Sequence, residues 1–224
     1  MKRLTKTLLI NWLYYEKLVL EFSDINYMVG KNSSGKSTFI DALMIVLLGE
    51  VSSRNFNKAA NEDAQRSLKR YLRADMDKNN PKARSSRSFN TYIACEFWDD
   101  VSGKSFTAGI VFDCYADGSE RYNFFTYDDK IPEDHFIVDR KPMDISELRS
   151  YLRDNYKSRQ EIYDSNKKYR AAIKAKWNIH VDQVFSALKQ GAFFKPIDDI
   201  REFITKHICD IQEKPDIVSM QQNI

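Results

Sequence analysis

The stretch 28–38, MVGKNSSGKST, carries the residue types and spacing with the clearest chemistry in this chain. Gly30, Gly35, Lys36 and Ser37 stand in the order Gly-x-x-x-x-Gly-Lys-Ser. Glycines let a backbone curl so that its N–H groups point inward at phosphate oxygens, and a following helix adds its positive dipole. In such a loop the lysine reaches the β- and γ-phosphates, and the serine hydroxyl ligates Mg²⁺. The spacing therefore predicts a site for ATP and Mg²⁺.

We expect the nucleotide to be held along the whole loop and into the first turn of the helix that follows it. The predicted contacts are Gly30, Asn32, Ser33, Ser34, Gly35, Lys36, Ser37 and Thr38. Lys36 is the predicted catalytic residue among them, because it would neutralise charge on the transferred phosphoryl group.

A loop of this kind needs a strand before it and a helix after it, and the hydropathy pattern supplies both. The run INYMV, residues 25–29, predicts a short strand that ends at the first glycine. Apolar residues then recur at helical spacing from Lys36 to Gly49. Upstream, TLLINWLYY and EKLVLEF predict two strands joined by a turn near residues 13–15.

Further along, the pattern predicts a helix at about 62–73 and then a mobile loop. The runs 89–98, 106–115 and 121–127 are separated by turn sequences and predict an antiparallel meander. Asp144 and Glu147 can cap a helix reciprocally, and that helix should run to about Tyr156. A polar helix is expected to follow, to about Trp177.

Composition limits the classes of protein to consider. The chain has 224 residues, 42% of them hydrophobic, which is enough to bury a core and suits either one large domain or a lobed one. No run approaches the length of a membrane span, and the basic start lacks a signal-peptide apolar region. Cys95, Cys114 and Cys209 are far apart, so we expect reduced, packed thiols in a cytoplasmic protein.

The net charge is only +3, but two stretches are strongly basic. Residues 54–87 hold ten Lys/Arg against four acids, and residues 157–176 hold seven against two. Both a polyanion partner and ordinary solvated helices fit this pattern. At helical spacing one face carries candidate contacts to the phosphates of double-stranded DNA: Arg66, Lys69, Arg70 and Arg73.

The residues around the loop, LLINW…LVLEF…INYMVGKNSSGKSTFIDAL…LLGE, resemble the N-terminal segment of SMC-type and Rad50-type ATPase heads. Most of the loop matches, while Ser33 stands where that family usually has glycine. The resemblance implies an α/β fold: the N-lobe of a P-loop ABC/SMC-type head, with a mixed sheet, an antiparallel meander and flanking helices.

A second correspondence lies downstream, where ALKQGAF is similar to the Q-loop of these heads. Carried over, Gln190 would be catalytic and would ligate Mg²⁺ and orient the attacking water; the alternative is a surface glutamine at a helix end. The stretches FFKPIDDIREFITKHIC and DIVSMQQNI most resemble the bacterial MukB/MksB-like branch, which includes the SMC-like subunit of the Wadjet plasmid-defence system.

The resemblance also implies a division of the chain, all of which would be one N-terminal lobe. The expected parts are a P-loop core at about 1–50, a basic helix and loop at 51–88, the meander at 89–127, a helical segment with the Q-loop at 144–214, and the start of a coiled-coil neck near 215–224.

Two parts of a complete ATPase head are missing from the sequence. No strand ends in Asp-Glu to supply a catalytic glutamate, and there is no LSGG-type signature. The resemblance implies that these lie in a C-terminal lobe of the same head. It further implies a homodimer, in which a second head joins the first, together with kleisin-type and accessory subunits. The other expected partner is double-stranded DNA, with no membrane partner, and the expected location is cytoplasmic and nucleoid-associated.

Two other functions stay open. One is a DNA-repair ATPase of the RecF, RecN or Rad50 kind, and the other is a non-hydrolysing module whose nucleotide-bound state recruits partners. In SMC-type and Rad50-type relatives the first turn contacts adenine, so the resemblance implies a stacking role for Trp12, Tyr14 and Tyr15. Packing within the core is the alternative for these three side chains.

Overall fold

A computed structural model describes residues 1–32, 34–51, 68–74, 83–84, 87–178, 184–185 and 187–188. The chain divides into two compact units, residues 1–178 and 179–224. The fold described below is that of the first unit.

The first unit is an antiparallel sheet with helices on both faces. Its strands are β1 (Lys2–Trp12), β2 (Tyr15–Glu21), β3 (Phe89–Asp99), β4 (Lys104–Cys114), β5 (Glu120–Tyr127), β6 (Ile137–Val138), β7 (Lys141–Pro142) and β8 (Gln160–Tyr163). Its helices are α1 (Lys36–Leu48), α2 (Leu68–Arg73), α3 (Ile145–Tyr156) and α4 (Asn166–Trp177), with a 3₁₀ turn at Lys157–Arg159. None of the helices in these described residues is long and apolar enough to cross a membrane.

The main sheet has six strands in the order β2-β1-β3-β4-β5-β8, and β6 and β7 form a separate hairpin. Every pairing of the main sheet is antiparallel, so the meander over β3, β4 and β5 is confirmed. The expectation of a mixed sheet is wrong for the described residues. Short turns join β1 to β2, β3 to β4 and β4 to β5, and they make these three pairs antiparallel because parallel neighbours need a long crossover connection.

The sheet is buried on both faces. One face packs against α1, α2 and α4, through side chains such as Phe39, Tyr71 and Tyr169. The other face packs against α3, through Leu148 and Leu152. The two layers make an α/β unit in which α1, the helix that follows the loop, is held directly on the sheet.

Two of the three cysteines lie in this core. Cys95 and Cys114 are buried free thiols, and burial raises the pKa of each to about 12. Their predicted packing in the core is confirmed, while Cys209 lies outside the described residues.

The predicted helix ends agree with the structure where its residues are described. Helix α1 ends at Gly49, whose φ of 60° and ψ of 39° form a left-handed cap. Asp144 accepts hydrogen bonds from the backbone N–H groups of Ser146 and Glu147, and the Glu147 carboxylate accepts from the Asp144 N–H. The reciprocal cap of α3 is therefore confirmed.

The predicted strand at 25–29 is wrong in this structure. These residues have no regular secondary structure, and the side chains of Ile25, Tyr27 and Val29 are 73%, 87% and 87% exposed. A strand exists only where a neighbour satisfies its backbone groups. Within the described part of the chain no backbone hydrogen bond joins 25–29 to another strand, and β1 is already paired on both sides.

Candidate nucleotide-binding site

The glycine-rich loop leads directly into α1, as its sequence predicts. Gly35 is the N-cap of the helix, with φ 94° and ψ 0°, a left-handed conformation that favours glycine. The N–H of Phe39 donates to the Gly35 carbonyl at 2.9 Å, which closes the first turn. The positive end of α1 therefore lies at the loop, where phosphate would bind.

The residue type at position 35 is also restricted by a spatial neighbour that the sequence does not reveal. A Cβ at this position would collide with the hydroxyl group of Tyr15, at the start of β2. At Gly30 a Cβ would lie 2.7 Å from Ser34 Oγ. Glycine is thus required at position 35 by its positive φ and by Tyr15, which forms one wall of the loop, whereas a Cβ at position 30 would require the Ser34 side chain to move.

The Lys36 ammonium group lies inside the curve of the loop. Its Nζ donates to the carbonyl oxygens of Gly30 at 2.7 Å and Lys31 at 2.8 Å, and to Ser34 Oγ at 3.3 Å. A second turn contact joins the Ser34 N–H to the Lys31 carbonyl at 3.3 Å. These bonds hold a positive charge at the centre of the loop, where an anionic group would sit.

Ser37 and Thr38 occupy the first turn of α1. Thr38 is 8% exposed, and its carbonyl accepts a hydrogen bond from Trp12 Nε1 at 2.9 Å. Ser37 is half-buried, and its hydroxyl has no hydrogen-bond partner among the described residues. The Ser37 hydroxyl therefore fits a ligand of Mg²⁺, whereas the packing of Thr38 orients the turn.

The aromatic residues of the first turn differ in what they contact. Trp12 is fully buried, and its ring stacks on Tyr71 with centroids 4.7 Å apart. It packs in the core and does not face an adenine. Tyr15 lies against Gly35, beside the loop, while Tyr14 is 45% exposed.

The structure shows a buried carboxylate behind the loop that sequence reasoning missed. Asp41 on α1 is 1% exposed, and its Oδ2 accepts a hydrogen bond from the Tyr71 hydroxyl group on α2. A buried carboxylate is tolerated where such donors satisfy it. The available signal was an acidic residue inside the apolar run FIDAL.

The candidate DNA contacts on α2 separate into two groups. Lys69 and Arg70 are exposed. Arg73 is 8% exposed; its guanidinium donates to the backbone carbonyls of Arg84 at 3.2 Å and Tyr115 at 2.7 Å. The prediction that Arg73 shares an exposed face with them is therefore wrong, because these carbonyls hold it inside.

Arg84 is a second buried arginine, and it fastens α2 to the turn between β1 and β2. It is 2% exposed, and its Nη2 donates to the carbonyls of Asn11 and Leu13, each at 2.8 Å. Its Nε donates to the Leu72 carbonyl at 3.2 Å. Burial lowers the pKa of Arg84 to about 10. The composition of the stretch did not distinguish such a side chain from a surface arginine.

Three predicted residues, Ser33, Arg66 and Gln190, lie outside the described residues. Their predicted roles in phosphate binding, DNA binding and the Q-loop stay predictions. The expected helix at 62–73 is described only from Leu68 to Arg73. The coiled-coil neck expected near 215–224 also lies outside the described range.

Comparison with known protein families agrees with this geometry. The family model of the P-loop containing region of AAA domains matches residues 4–63. The match spans nearly all of β1, all of β2, the loop and α1. No curated protein shows significant similarity to the chain. The chain therefore contains the N-terminal P-loop region of an ATPase-type nucleotide-binding protein, a class that generally binds its nucleotide with Mg²⁺.

Proposed function

We propose that this chain is the ATP-binding N-terminal lobe of an SMC-like ATPase head. The observation that carries the proposal is the loop itself: a left-handed Gly35 at the N-terminus of α1, with the Lys36 ammonium group held inside the curve. Gly30 to Thr38 would hold the phosphates of ATP, and Ser37 would ligate Mg²⁺. The bound Mg²⁺ would neutralise phosphate charge, and Lys36 would do so from the protein side.

The exposed run at 25–29 supports the view that the lobe is completed by another polypeptide segment. Apolar side chains as exposed as Ile25, Tyr27 and Val29, in the residues that lead into the loop, favour burial in a larger assembly. A C-terminal lobe that supplies the missing acidic strand is the occupant we propose. Hydrolysis would then require that lobe, a second head and, on our proposal, Gln190.

DNA is the proposed substrate of the assembled protein. Lys69 and Arg70 present exposed positive charge on α2 and could contact phosphates without reading bases. The complete homodimer, with kleisin-type and accessory subunits, would use ATP to clamp DNA or extrude loops. Within this family we favour the MukB/MksB-like branch. The protein would then act in chromosome organisation or in plasmid defence, and it would do so in the cytoplasm.

The test is a binding titration of ATP with Mg²⁺ on the full chain. Lys36→Ala removes a charged donor to phosphate worth about 1.5–3 kcal/mol, so affinity should fall by roughly ten- to a hundredfold. Lys31→Ala is the matched control, because it removes an exposed lysine of the same loop and keeps the backbone carbonyl that Lys36 contacts.

Equal affinity of the parent and Lys36→Ala would show that the loop is not the site. An equal loss in both variants would point to non-specific attraction by positive charge. ATP binding without DNA binding by the assembled protein would favour the non-hydrolysing nucleotide switch.

A further inference from the structure

Helix α2 touches the P-loop helix through a buried hydrogen bond. The Tyr71 hydroxyl group donates to the Asp41 carboxylate, and the two residues are only 3% and 1% exposed. A carboxyl group this deeply buried depends on its hydrogen bonds. The position of α2 therefore contributes to the environment of the helix that carries Lys36 and Ser37.

A second connection reaches the first turn of α1. Tyr71 stacks on Trp12 with an angle of 2° between the rings, and Trp12 Nε1 donates to the Thr38 carbonyl at 2.9 Å. The backbone N–H of Leu13 donates to the Tyr71 carbonyl at 2.7 Å. Tyr71 is thus joined to α1 both directly, at Asp41, and through Trp12.

The outer side of the same short helix carries the basic side chains. Lys69 has a side chain that is 65% exposed, and its Nζ lies 4.0 Å from a carboxylate oxygen of Glu120 on β5. Arg70, the next residue, is also exposed. Tyr71 follows Arg70 directly. A single turn of helix therefore carries both the exposed basic side chains and the residue that contacts the P-loop helix.

We propose that α2 couples DNA to the nucleotide, and that the hydrogen bond from Tyr71 to Asp41 is the positioning contact between them. The inference rests on the proposed binding of ATP at the loop and of DNA at Lys69 and Arg70. Phosphates bound by Lys69 and Arg70 favour the position of α2 in which Tyr71 donates to Asp41. The same position holds the first turn of α1 through Trp12, so the nucleotide binds more tightly when DNA is bound.

The coupling is measured as a ratio of two affinities on the full chain. A non-hydrolysable ATP analogue with Mg²⁺ is titrated alone and with a saturating duplex of mixed sequence. DNA should tighten binding by about fivefold, at the low end of typical couplings, and the nucleotide should tighten DNA binding by the same factor. Tyr71→Phe keeps the stacked ring but removes the hydroxyl, so its ratio should fall close to one.

Tyr92→Phe is the matched control, because it also removes a buried hydroxyl. That hydroxyl donates to the Met143 carbonyl at 2.7 Å, within the core on the opposite face of the sheet. Its ratio should equal that of the parent. Asp41→Asn provides a second variant: it keeps an acceptor but loses the charge that strengthens the bond, so its ratio should fall between the two.

Thermal unfolding of each variant establishes that it is folded before its ratio is compared. A parent ratio near one, or a fivefold ratio retained by both Tyr71→Phe and Asp41→Asn, would overturn the inference while leaving both binding activities intact. If the parent binds the analogue but not the duplex, the proposed DNA function fails and the inference fails with it. The direct DNA titration distinguishes these results.

Discussion

The segments before and after the phosphate loop differ in whether this chain folds and buries them. On the side after the loop, α1 is buried along nearly its whole length, and Phe39, Ala42 and Ile45 are at most 2% exposed. On the side before it, residues 25–29 have no regular structure, and Tyr27 and Val29 are each 87% exposed. The sequence predicts regular structure on both sides, but only the helix is present.

This difference corresponds to the difference between binding ATP and hydrolysing it. The groups that hold phosphate belong to the loop and α1. Helix α1 is fixed in place by Trp12 on the sheet and by Tyr169 on α4, whose hydroxyl group donates to the Val46 carbonyl at 2.8 Å. The acidic strand and the signature motif that hydrolysis would also need have no counterpart in the sequence. On our proposal they come with the polypeptide that covers the exposed side.

The largest expected effect is in backbone hydrogen exchange, which compares the two sides directly. Amides inside α1 should open only with global unfolding, which commonly costs about 5–15 kcal/mol, so they should exchange at least roughly a thousandfold more slowly than those of 25–29. Peptide-level exchange of the full chain, followed by mass spectrometry, measures both regions at once. Comparable protection of the two segments would remove the contrast.

A smaller effect is expected when one aromatic residue is removed from each side. Trp12→Ala deletes a fully buried ring and its hydrogen bond to Thr38, and should lower the free energy of unfolding by about 3–5 kcal/mol. Tyr27→Ala deletes an exposed ring and should change it by less than about 0.5 kcal/mol. Urea unfolding of both variants gives the comparison, and a loss of similar size for Tyr27 would show that it already packs within this chain.

Much of the fold follows from local sequence signals. The helical periodicity ending at Gly49, the cap from Asp144 to Glu147 and the turns between the strands of the meander are all set by neighbouring residues. The phosphate loop is equally local, since its geometry depends on glycines and on the helix that follows. These are the features that sequence reasoning predicted correctly.

The features that sequence reasoning missed depend on partners distant in the chain. Strand β8 is four residues long and exists because it pairs with β5, and the run at 25–29 lacks such a partner within the described residues. Arg73 and Arg84 look like surface residues in a basic stretch, but backbone carbonyls brought together by the fold bury them. Likewise, the link between Asp41 and Tyr71 spans 30 residues.

Steady-state hydrolysis of ATP by the purified full chain tests whether this chain binds the nucleotide without a complete catalytic site. We predict that the parent binds ATP with Mg²⁺ but turns it over no faster than Lys36→Ala, because the acidic strand and signature motif are not in this sequence. Adding DNA should not change that result. Robust turnover by the parent that Lys36→Ala abolishes would contradict the account, since this chain would then contain a complete catalytic site.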